Sequence, residues 1–279
     1  MLKIAVPNKG ALSETAAQML AEAGYTGRRD PKELIVADPR NGVEFFYLRP
    51  RDIATYVGSG ALDVGITGRD LLLDSSSEAA EIAPLGFAAS TFRFAGPSGR
   101  FADLADLAGL RVATSYPGLV GDFLTGKGVD VRLVMLDGAV ESAVRLGVAD
   151  AVADVVETGS TLRKQGLEIF GPVILQSEAV LIGAHAEVAG LDTLHRRLQG
   201  VMVARRFVLM DYDLPAHLID EAVALTPGVE SPTVSPLRDA GWVAVRVMVR
   251  RDDTNQVMDD LYALGARAIL VTPIHAARI

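Results

Sequence analysis

The amino-acid sequence predicts an α/β protein made of two similar lobes and a smaller C-terminal domain. Two observations carry this prediction. The order strand, loop, helix and terminal glycine occurs in residues 2–24 and again in residues 110–128, and from about Arg206 the order of elements changes to βαββαβ. At 279 residues the chain is also longer than one typical core, so we expect two or three domains.

Composition excludes several classes of protein. The net charge of −8 argues against a nucleic-acid surface, which is usually basic, and the absence of cysteine excludes disulfides, thiolate metal sites and thiol nucleophiles. The four histidines show no metal-ligand spacing. No apolar run reaches the roughly 18 residues of a membrane span and no signal-peptide pattern is present, so we expect a cytoplasmic protein with no membrane partner.

The first lobe begins with a buried strand, Leu2–Val6, and a Pro-Asn-Lys-Gly loop. Ser13 is the predicted N-cap of a helix that ends at Gly24. The inner face of this helix would consist of Ala16, Leu20 and Ala23. Further predicted elements of the lobe are a strand at Phe45–Leu48 and a short helix that ends near Gly58.

A second pattern relates the two lobes. The segments Gly60–Gly68 and Gly147–Asp154 each carry a glycine, an aspartate three residues later and a short apolar strand. Because helices separate the strands, we expect parallel sheets, and we place the boundary between the lobes near Ser90–Pro97. A cleft between two such lobes is a preferred place for a small ligand.

Residues 207–279 are predicted to form a separate ferredoxin-like domain. Its predicted elements are, in order, a strand at Phe207–Asp211, a helix opened by Pro215, strands at Thr233–Pro236 and Trp242–Val249, a helix from a capping box at Asp253 and Gln256 to Gly265, and a strand at Ala268–Val271. Valine at every second position from 243 to 249 indicates one buried face of the third strand.

The most informative segment is Asp150–Leu162, where an apolar strand meets a Thr-Gly-Ser-Thr turn and a helix. Backbone N–H groups and hydroxyls of Thr158–Thr161, together with the helix N-terminus, would form an anion cradle. Asp154, at the strand end, would repel that anion but can accept hydrogen bonds from sugar hydroxyls. The segment therefore predicts a ribose-5-phosphate site, and the alternative is an ordinary turn that caps a helix.

Four further side chains are candidates for ligand contact, and each has a structural alternative. Lys9 and Arg49 both follow a strand, at the carboxyl edge where ligands collect in open α/β sheets; the alternative is a solvated surface cation. Tyr116 would stack on a base, or fill the core. Glu141 lies in the first turn of a predicted helix, where its alternative role is to complement the helix dipole.

Taken together, these segments resemble the long-form ATP phosphoribosyltransferase family, which catalyses the first step of histidine biosynthesis. The resemblance covers essentially the whole chain and follows the family's order. It is carried by six segments: Val6–Gly10, Phe46–Pro50, Gly65–Gly68, Asp137–Glu141, Ala149–Leu162 and Leu225–Thr233. Each segment alone is weak, but the six in order, with a C-terminal βαββαβ domain that the short form lacks, are specific.

The resemblance implies two periplasmic-binding-protein-like lobes plus a regulatory ferredoxin-like (ACT-like) domain. Residues 1–90 with 178–206 would form the first catalytic lobe, 91–177 the second and 207–279 the regulatory domain. The implied reaction is magnesium-dependent and converts ATP and phosphoribosyl pyrophosphate to phosphoribosyl-ATP and pyrophosphate. Histidine is the implied feedback inhibitor, and the implied assembly is a homo-oligomer, from dimer to hexamer.

The resemblance also implies site residues. The ribose 5-phosphate would be held by Thr158, Gly159, Ser160 and Thr161, and the ribose hydroxyls by Asp154. Lys9 and Arg49 would face pyrophosphate or the ATP phosphates. The residues near the purine would be Asp70, Leu71 and Tyr116, with Glu141 and Val155 as further substrate contacts. The histidine site would consist of Asp213, Val229, Ser231, Thr233 and Ala268, where Asp213 takes the amine; the alternative for Ser231 and Thr233 is that they only shape a turn.

The chemistry of this reaction suits the residues. Displacing pyrophosphate from the anomeric carbon passes through a sugar cation, and the attacking adenine nitrogen is neutral, so no strong base is required. The motif loops accordingly contain neither histidine nor cysteine. Two alternatives stay open: a non-catalytic cytoplasmic protein that binds small anions or amino acids, and a phosphoribosyltransferase for another base.

Overall fold

The computed structural model describes residues 1–156, 159–184 and 188–278. The chain divides into two compact units, residues 1–21 with 25–192 and residues 22–24 with 193–279. The first unit contains two α/β lobes, each with its own sheet, and the second contains a four-stranded sheet. The predicted fold class, two periplasmic-binding-protein-like lobes followed by a ferredoxin-like domain, is confirmed, whereas the residue limits of the three domains stay a prediction.

The first lobe contains eight elements before the chain leaves it. They are β1 (Leu2–Pro7), α1 (Ala11–Glu22), β2 (Ile35–Asp38), β3 (Val43–Leu48), α2 (Pro50–Gly58), β4 (Val64–Gly68), α3 (Arg69–Asp74) and β5 (Ala80–Pro84).

The second lobe follows, and the chain then returns to the first sheet. The elements are β6 (Ser90–Pro97), β7 (Arg111–Thr114), α4 (Pro117–Gly126), β8 (Arg132–Met135), α5 (Ser142–Arg145), β9 (Ala151–Val156), α6 (Ser160–Lys164), β10 (Leu167–Ser177) and the returning strand β11 (Ala179–Gly183). A short 3₁₀ helix spans Leu104–Leu107.

Both sheets are mixed, so the expectation of parallel sheets is only half right. The first has the order β2-β3-β1-β4-β11-β5 and the second β10-β6-β9-β7-β8. In each lobe the two βα repeats pair in parallel, β1 with β4 and β7 with β9. The strands next to the crossings between lobes, β6, β10 and β11, are antiparallel to their neighbours in the sheet.

The expected boundary region, Ser90–Pro97, forms the continuous strand β6, which is the first strand along the chain to join the second sheet, and the limits of the lobes stay a prediction. One local expectation in the first unit is wrong. Ser13 is not an N-cap, because α1 already begins at Ala11 and Ser13 N donates to Gly10 O. The predicted inner face of α1 is confirmed, since Ala16, Leu20 and Ala23 are buried.

Close packing of α2 on β4 depends on Gly65. A Cβ atom at this position would lie 2.6 Å from Ile53 Cγ2, so only glycine allows the helix to approach the strand this closely. Pro50 opens α2, where its missing N–H costs nothing, and the helix ends at Gly58 as predicted. The helix N-terminus therefore stands at the carboxyl end of β3, next to Arg49.

The second unit has the βαββαβ order that the sequence predicts. A helix, α7 (Leu191–Arg206), leads into β12 (Phe207–Pro215), α8 (Ile219–Leu225), β13 (Thr233–Pro236), β14 (Trp242–Arg250), α9 (Thr254–Leu264) and β15 (Arg267–Pro273). The strand order is β13-β14-β12-β15, and every pairing is antiparallel, as in ferredoxin-like domains.

Side chains in this domain follow the predicted alternation but not the predicted caps. Val245, Val247 and Val249 are buried among the two helices and β12. Pro215 ends β12 and directly precedes a 3₁₀ helix, Ala216–Leu218, which continues into α8, so the helix begins at Pro215 as predicted. The capping box is wrong: Asp253 precedes α9 without a side-chain cap bond, and Gln256 Nε2 donates to Asp260 Oδ1 at 2.9 Å.

Candidate functional site

Lys9 and Arg49 lie at the same edge of the first sheet. They follow the neighbouring parallel strands β1 and β3, whose last residues Pro7 and Leu48 are register partners. Asn8 N donates to Leu48 O at 2.8 Å, which fixes the two loops side by side. Both side chains are exposed, and within the described parts of the chain neither makes an ion pair or hydrogen bond. Two unneutralised cations therefore stand together at the carboxyl end of this sheet.

Asp154 is a partly buried carboxylate in the middle of the second lobe. It lies within β9, two residues before the strand end at Val156, and its Oδ1 accepts from Val155 N at 2.8 Å. Burial raises the pKa of Asp154, and the negative charges of Glu141 and Asp70 act in the same direction, whereas Arg51 opposes them.

Charged side chains from four elements therefore meet around Asp154. Glu141 immediately precedes α5, not in its first turn as expected, and Arg51 and Asp70 lie in the first turns of α2 and α3. Two of these groups belong to the first lobe and two to the second. The site is thus built where the carboxyl edges of both sheets face each other.

Tyr116 belongs to the same cluster. Tyr116 directly precedes α4. Its ring contacts the Phe92 ring edge-on, with 5.0 Å between the two ring centroids. The Arg51 guanidinium carbon lies 4.5 Å from the centre of the Tyr116 ring. Burial raises the pKa of Tyr116, as does the negative charge of Asp70, so the phenol is neutral at physiological pH.

Asp70 and Leu71, predicted to lie near the purine, are buried in the first turn of α3. Ser177 Oγ donates to Asp70 Oδ1 at 2.9 Å and accepts from Asp70 N at 3.1 Å. Ser177 is the last residue of β10, where the chain crosses back to the first lobe. The Asp70 carboxylate is therefore fixed to the crossing between lobes and points its charge toward Tyr116.

The predicted phosphate turn is described only from Gly159 onward, since Thr158 lies outside the described residues. Gly159 has φ +66°, a left-handed conformation that favours glycine, and directly precedes α6. Ser160 and Thr161 are exposed at the start of that helix, and Val155 is half-buried in β9. The anion-binding role of this turn stays a prediction.

The five residues predicted for histidine binding lie in two groups. Asp213 on β12 pairs with Arg267 on β15, next to a bulge where Ala268 has φ +50°. Thr233 lies on β13 at the other edge of the sheet, and three strand spacings of about 4.8 Å put the two edge strands about 14 Å apart. Val229 and Ser231 line a cavity of 220 Å³ just before β13.

Arg51 and Asp74 are functional candidates that the sequence did not assign. Arg51 carried a weak signal, because it follows Pro50 at the start of a helix that begins at a strand's carboxyl end. Asp74, the last residue of α3, carried none. Its contacts are all with residues distant in sequence, and no local pattern marks such a residue.

Within the described residues, neither a preformed metal site nor a membrane-spanning helix is found. In residues 1–156, 159–184 and 188–278, no group of three or more His, Asp or Glu side chains is arranged to hold a metal ion. Over the same ranges, none of the helices combines the length and apolar character needed to cross a membrane.

Comparisons with known proteins agree with this architecture. The family profile described as ATP phosphoribosyltransferase matches residues 49–200, and that of the HisG C-terminal domain matches residues 204–276. The chain is 64% identical to an ATP phosphoribosyltransferase of Pseudarthrobacter chlorophenolicus and 59% identical to one of Streptomyces coelicolor, with 100% of each chain covered.

A solved structure is similar over most of the chain. A chain of the ATP phosphoribosyl transferase (HisG:HisZ) complex from Thermotoga maritima matches with a TM-score of 0.64 and 28% identity, over 72% of this chain and 98% of that one. Sequence, fold and site geometry thus lead to one conclusion: the chain belongs to the ATP phosphoribosyltransferase family and is a transferase of histidine biosynthesis.

Proposed function

We propose that the protein transfers the phosphoribosyl group of phosphoribosyl pyrophosphate to an adenine ring nitrogen of ATP, releasing pyrophosphate. The observation that carries the proposal is the convergence of Asp154, Glu141, Asp70 and Tyr116 from both lobes, with two free cations at the edge of the first sheet. A cleft with acidic groups in its middle and cations at its rim suits a sugar held between phosphates.

Asp154 holds the ribose and stabilises its developing positive charge. As pyrophosphate leaves the anomeric carbon, the sugar becomes cationic, and a nearby carboxylate lowers the energy of that state. Burial strengthens this interaction because little water screens it, and the raised pKa of Asp154 reflects the same burial. The turn of residues 158–161 anchors the 5-phosphate at the other end of the sugar.

Lys9 and Arg49 face the phosphates. Both are exposed cations without a protein partner in the described chain, so binding an anion disrupts no existing ion pair. They neutralise the departing pyrophosphate, which is the main catalytic requirement when the nucleophile is neutral.

Magnesium fits this arrangement without a complete protein cage. Mg²⁺ is commonly held by one or two carboxylates plus substrate phosphates, and Glu141 is a carboxylate close enough to act on Asp154. Glu141 would hold the ion together with the substrate phosphates, and the ion would supply further neutralisation of the leaving group.

The purine of ATP lies against Tyr116, with Asp70 and Leu71 behind it. The neutral ring of Tyr116 offers a surface for stacking, and Asp70 is held rigidly by Ser177. Because adenine attacks as a neutral nucleophile, these groups only need to position the ring nitrogen near the anomeric carbon.

Regulation belongs to residues 207–279 in this proposal, and residues 1–90 with 178–206 and 91–177 form the two catalytic lobes. Histidine binds through Asp213, with Val229, Ser231, Thr233 and Ala268 as further contacts. The protein works in the cytoplasm as a homo-oligomer, a dimer or hexamer.

One assay separates this proposal from a non-catalytic anion- or amino-acid-binding protein. The full-length protein is mixed with ATP, phosphoribosyl pyrophosphate and Mg²⁺, and pyrophosphate release is followed with and without histidine. We expect release that requires both substrates and decreases with histidine. Binding of either substrate without any release would leave only the binding-protein alternative, and release with another base in place of ATP would favour the second alternative.

A further inference from the structure

Asp74 connects the two lobes of the first unit. It is the last residue of α3 in the first lobe, and its Oδ1 accepts from Gly118 N at 2.9 Å and from Leu119 N at 3.2 Å, both in the first turn of α4 in the second lobe. The residue before α4, Tyr116, makes no side-chain cap bond of its own. The carboxylate of Asp74 therefore supplies from the other lobe the acceptor that an N-cap normally supplies locally.

The contact is close because residue 118 is glycine. A Cβ atom at this position would lie 2.6 Å from Asp74 O, so any larger residue would push α3 and α4 apart. The Asp74 side chain is only 12% exposed, and its negative charge sits at the positive end of a ten-residue helix. Burial and helix dipole both make this a firm connection between the lobes.

Asp74 also holds Arg51. Asp74 Oδ2 lies 3.4 Å from Arg51 Nη1, and the same guanidinium covers the Tyr116 ring at 4.5 Å. The Arg51 side chain is 42% exposed, so this ion pair contributes little to stability. Its effect is on orientation, because it directs the planar guanidinium over the aromatic face.

We propose that Asp74 is a positioning residue for the adenine nucleotide. Through α4 it places the Tyr116 backbone, and through Arg51 it sets one face of the Tyr116 ring, so that a single carboxylate aligns both parts of the purine site across the lobe boundary. Asp74 does not touch the substrate. The inference rests on the proposed placement of the purine against Tyr116.

The charge balance explains why an aspartate is required. Arg51 also acts on Asp154, whose pKa it lowers against the effect of burial. Without Asp74 the guanidinium would be free to leave the Tyr116 ring for the carboxylates of the ribose site. Asparagine at position 74 would still accept from the two N–H groups but would no longer hold the cation.

The test compares full-length Asp74→Ala and Asp74→Asn with Asp106→Ala. Asp106 is a matched control, because its Oδ2 also accepts from two backbone N–H groups, those of Ala102 at 2.8 Å and Asp103 at 3.0 Å, but entirely within the second lobe. The KM for ATP, the KM for phosphoribosyl pyrophosphate, kcat and the melting temperature are measured for each protein. Tyr116→Ala is included to test the purine placement independently.

Asp74→Ala loses both the hydrogen bonds to α4 and the ion pair with Arg51, and we expect it to raise the KM for ATP about tenfold. Asp74→Asn loses only the ion pair, and we expect it to raise this KM about threefold. The KM for phosphoribosyl pyrophosphate should change less than about twofold, and Asp106→Ala should lower the melting temperature without altering either KM. If Asp74→Ala does not fold, the Asp74→Asn variant, whose side chain has the same shape as aspartate, tests the positioning role of Asp74 in its place.

Two results would overturn the inference by itself: an unchanged KM for ATP in the Asp74 variants, or an equal rise in both KM values. In either case Tyr116→Ala would still raise the KM for ATP, and the proposed function would stand. An unchanged KM for ATP in Tyr116→Ala would instead remove the purine placement, and the role of Asp74 with it.

Discussion

Asp150 and Asp154 lie four residues apart at the start and in the middle of the same strand region of the second lobe, yet their surroundings shift their pKa values in opposite directions. Asp150 precedes β9 and receives hydrogen bonds from Arg111 Nε at 3.1 Å and Arg111 N at 3.1 Å, which lower its pKa. Asp154 lies inside the strand, where burial raises its pKa. The first carboxylate stabilises the fold, and the second is costly to the fold and available to a ligand.

Replacing Asp154 by asparagine tests the ribose site. The change keeps the shape and the acceptor for Val155 N but removes the negative charge near the sugar cation. We expect kcat to fall about a hundredfold, or about 3 kcal/mol, measured by pyrophosphate release at saturating substrates. Asp150→Asn is the control and should retain most of the activity, so equal losses in both variants would contradict the assignment.

The same pair predicts opposite effects of pH on stability, measured by thermal unfolding without substrates or Mg²⁺. The lowered pKa of Asp150 means that its contribution is present above the unfolded-state value of about 3.9 and is lost as pH falls through the folded value. Asp150→Asn should therefore melt about 2–4 °C below wild type at neutral pH, for a loss of about 1 kcal/mol, with the difference shrinking in acid.

Asp154 has the reverse sign. Its raised pKa means that the charged form is disfavoured by folding, so the carboxylate destabilises the protein at neutral pH and this cost disappears as pH falls below the unfolded-state value. Asp154→Asn should melt above wild type at neutral pH and converge with it in acid. A lower melting temperature for this variant at neutral pH would show that Asp154 has a structural partner.

Removing the charges of Lys9 and Arg49 tests the phosphate edge. Lys9→Met and Arg49→Met keep the aliphatic stems, and because both side chains are exposed, the melting temperature should hardly change. Each should lower kcat/KM for phosphoribosyl pyrophosphate about tenfold to a hundredfold. Arg132→Met, an exposed arginine at the start of β8, is the control, and an equal loss there would point to overall charge and not to a local contact.

Replacing Asp213 by asparagine tests the histidine site in the full-length chain. Loss of the carboxylate that takes the ligand amine should raise the histidine concentration for half-inhibition about tenfold, with uninhibited activity unchanged. Asp211→Asn is the control on the same strand, since Asp211 is paired with Arg246 Nε at 2.7 Å.

Deleting residues 207–279 should abolish inhibition by histidine, because these residues carry the proposed histidine site. Inhibition that persists in a soluble, active truncation would place the site elsewhere.

The order of elements was predictable because it depends on local signals. Apolar runs, alternating valines and terminal glycines place β1, α1, α2, β14 and α9 within a few residues of their observed bounds. Candidates at strand ends, such as Lys9 and Arg49, were predictable for the same reason. Caps failed more often: Ser13 and Asp253 have suitable chemistry, but the helices begin where packing, and not the local side chain, decides.

By itself the sequence determined the fold class, the family and the loops that we propose to carry ligand-binding side chains, because each depends on residues close together along the chain. The tertiary structure alone decided which strands run antiparallel and which charges meet. Gly118 and Asp74 are 44 residues apart, and their contact exists only because two lobes fold against each other. The opposite pKa shifts of Asp150 and Asp154 likewise come from burial and neighbours, which no spacing along a strand encodes.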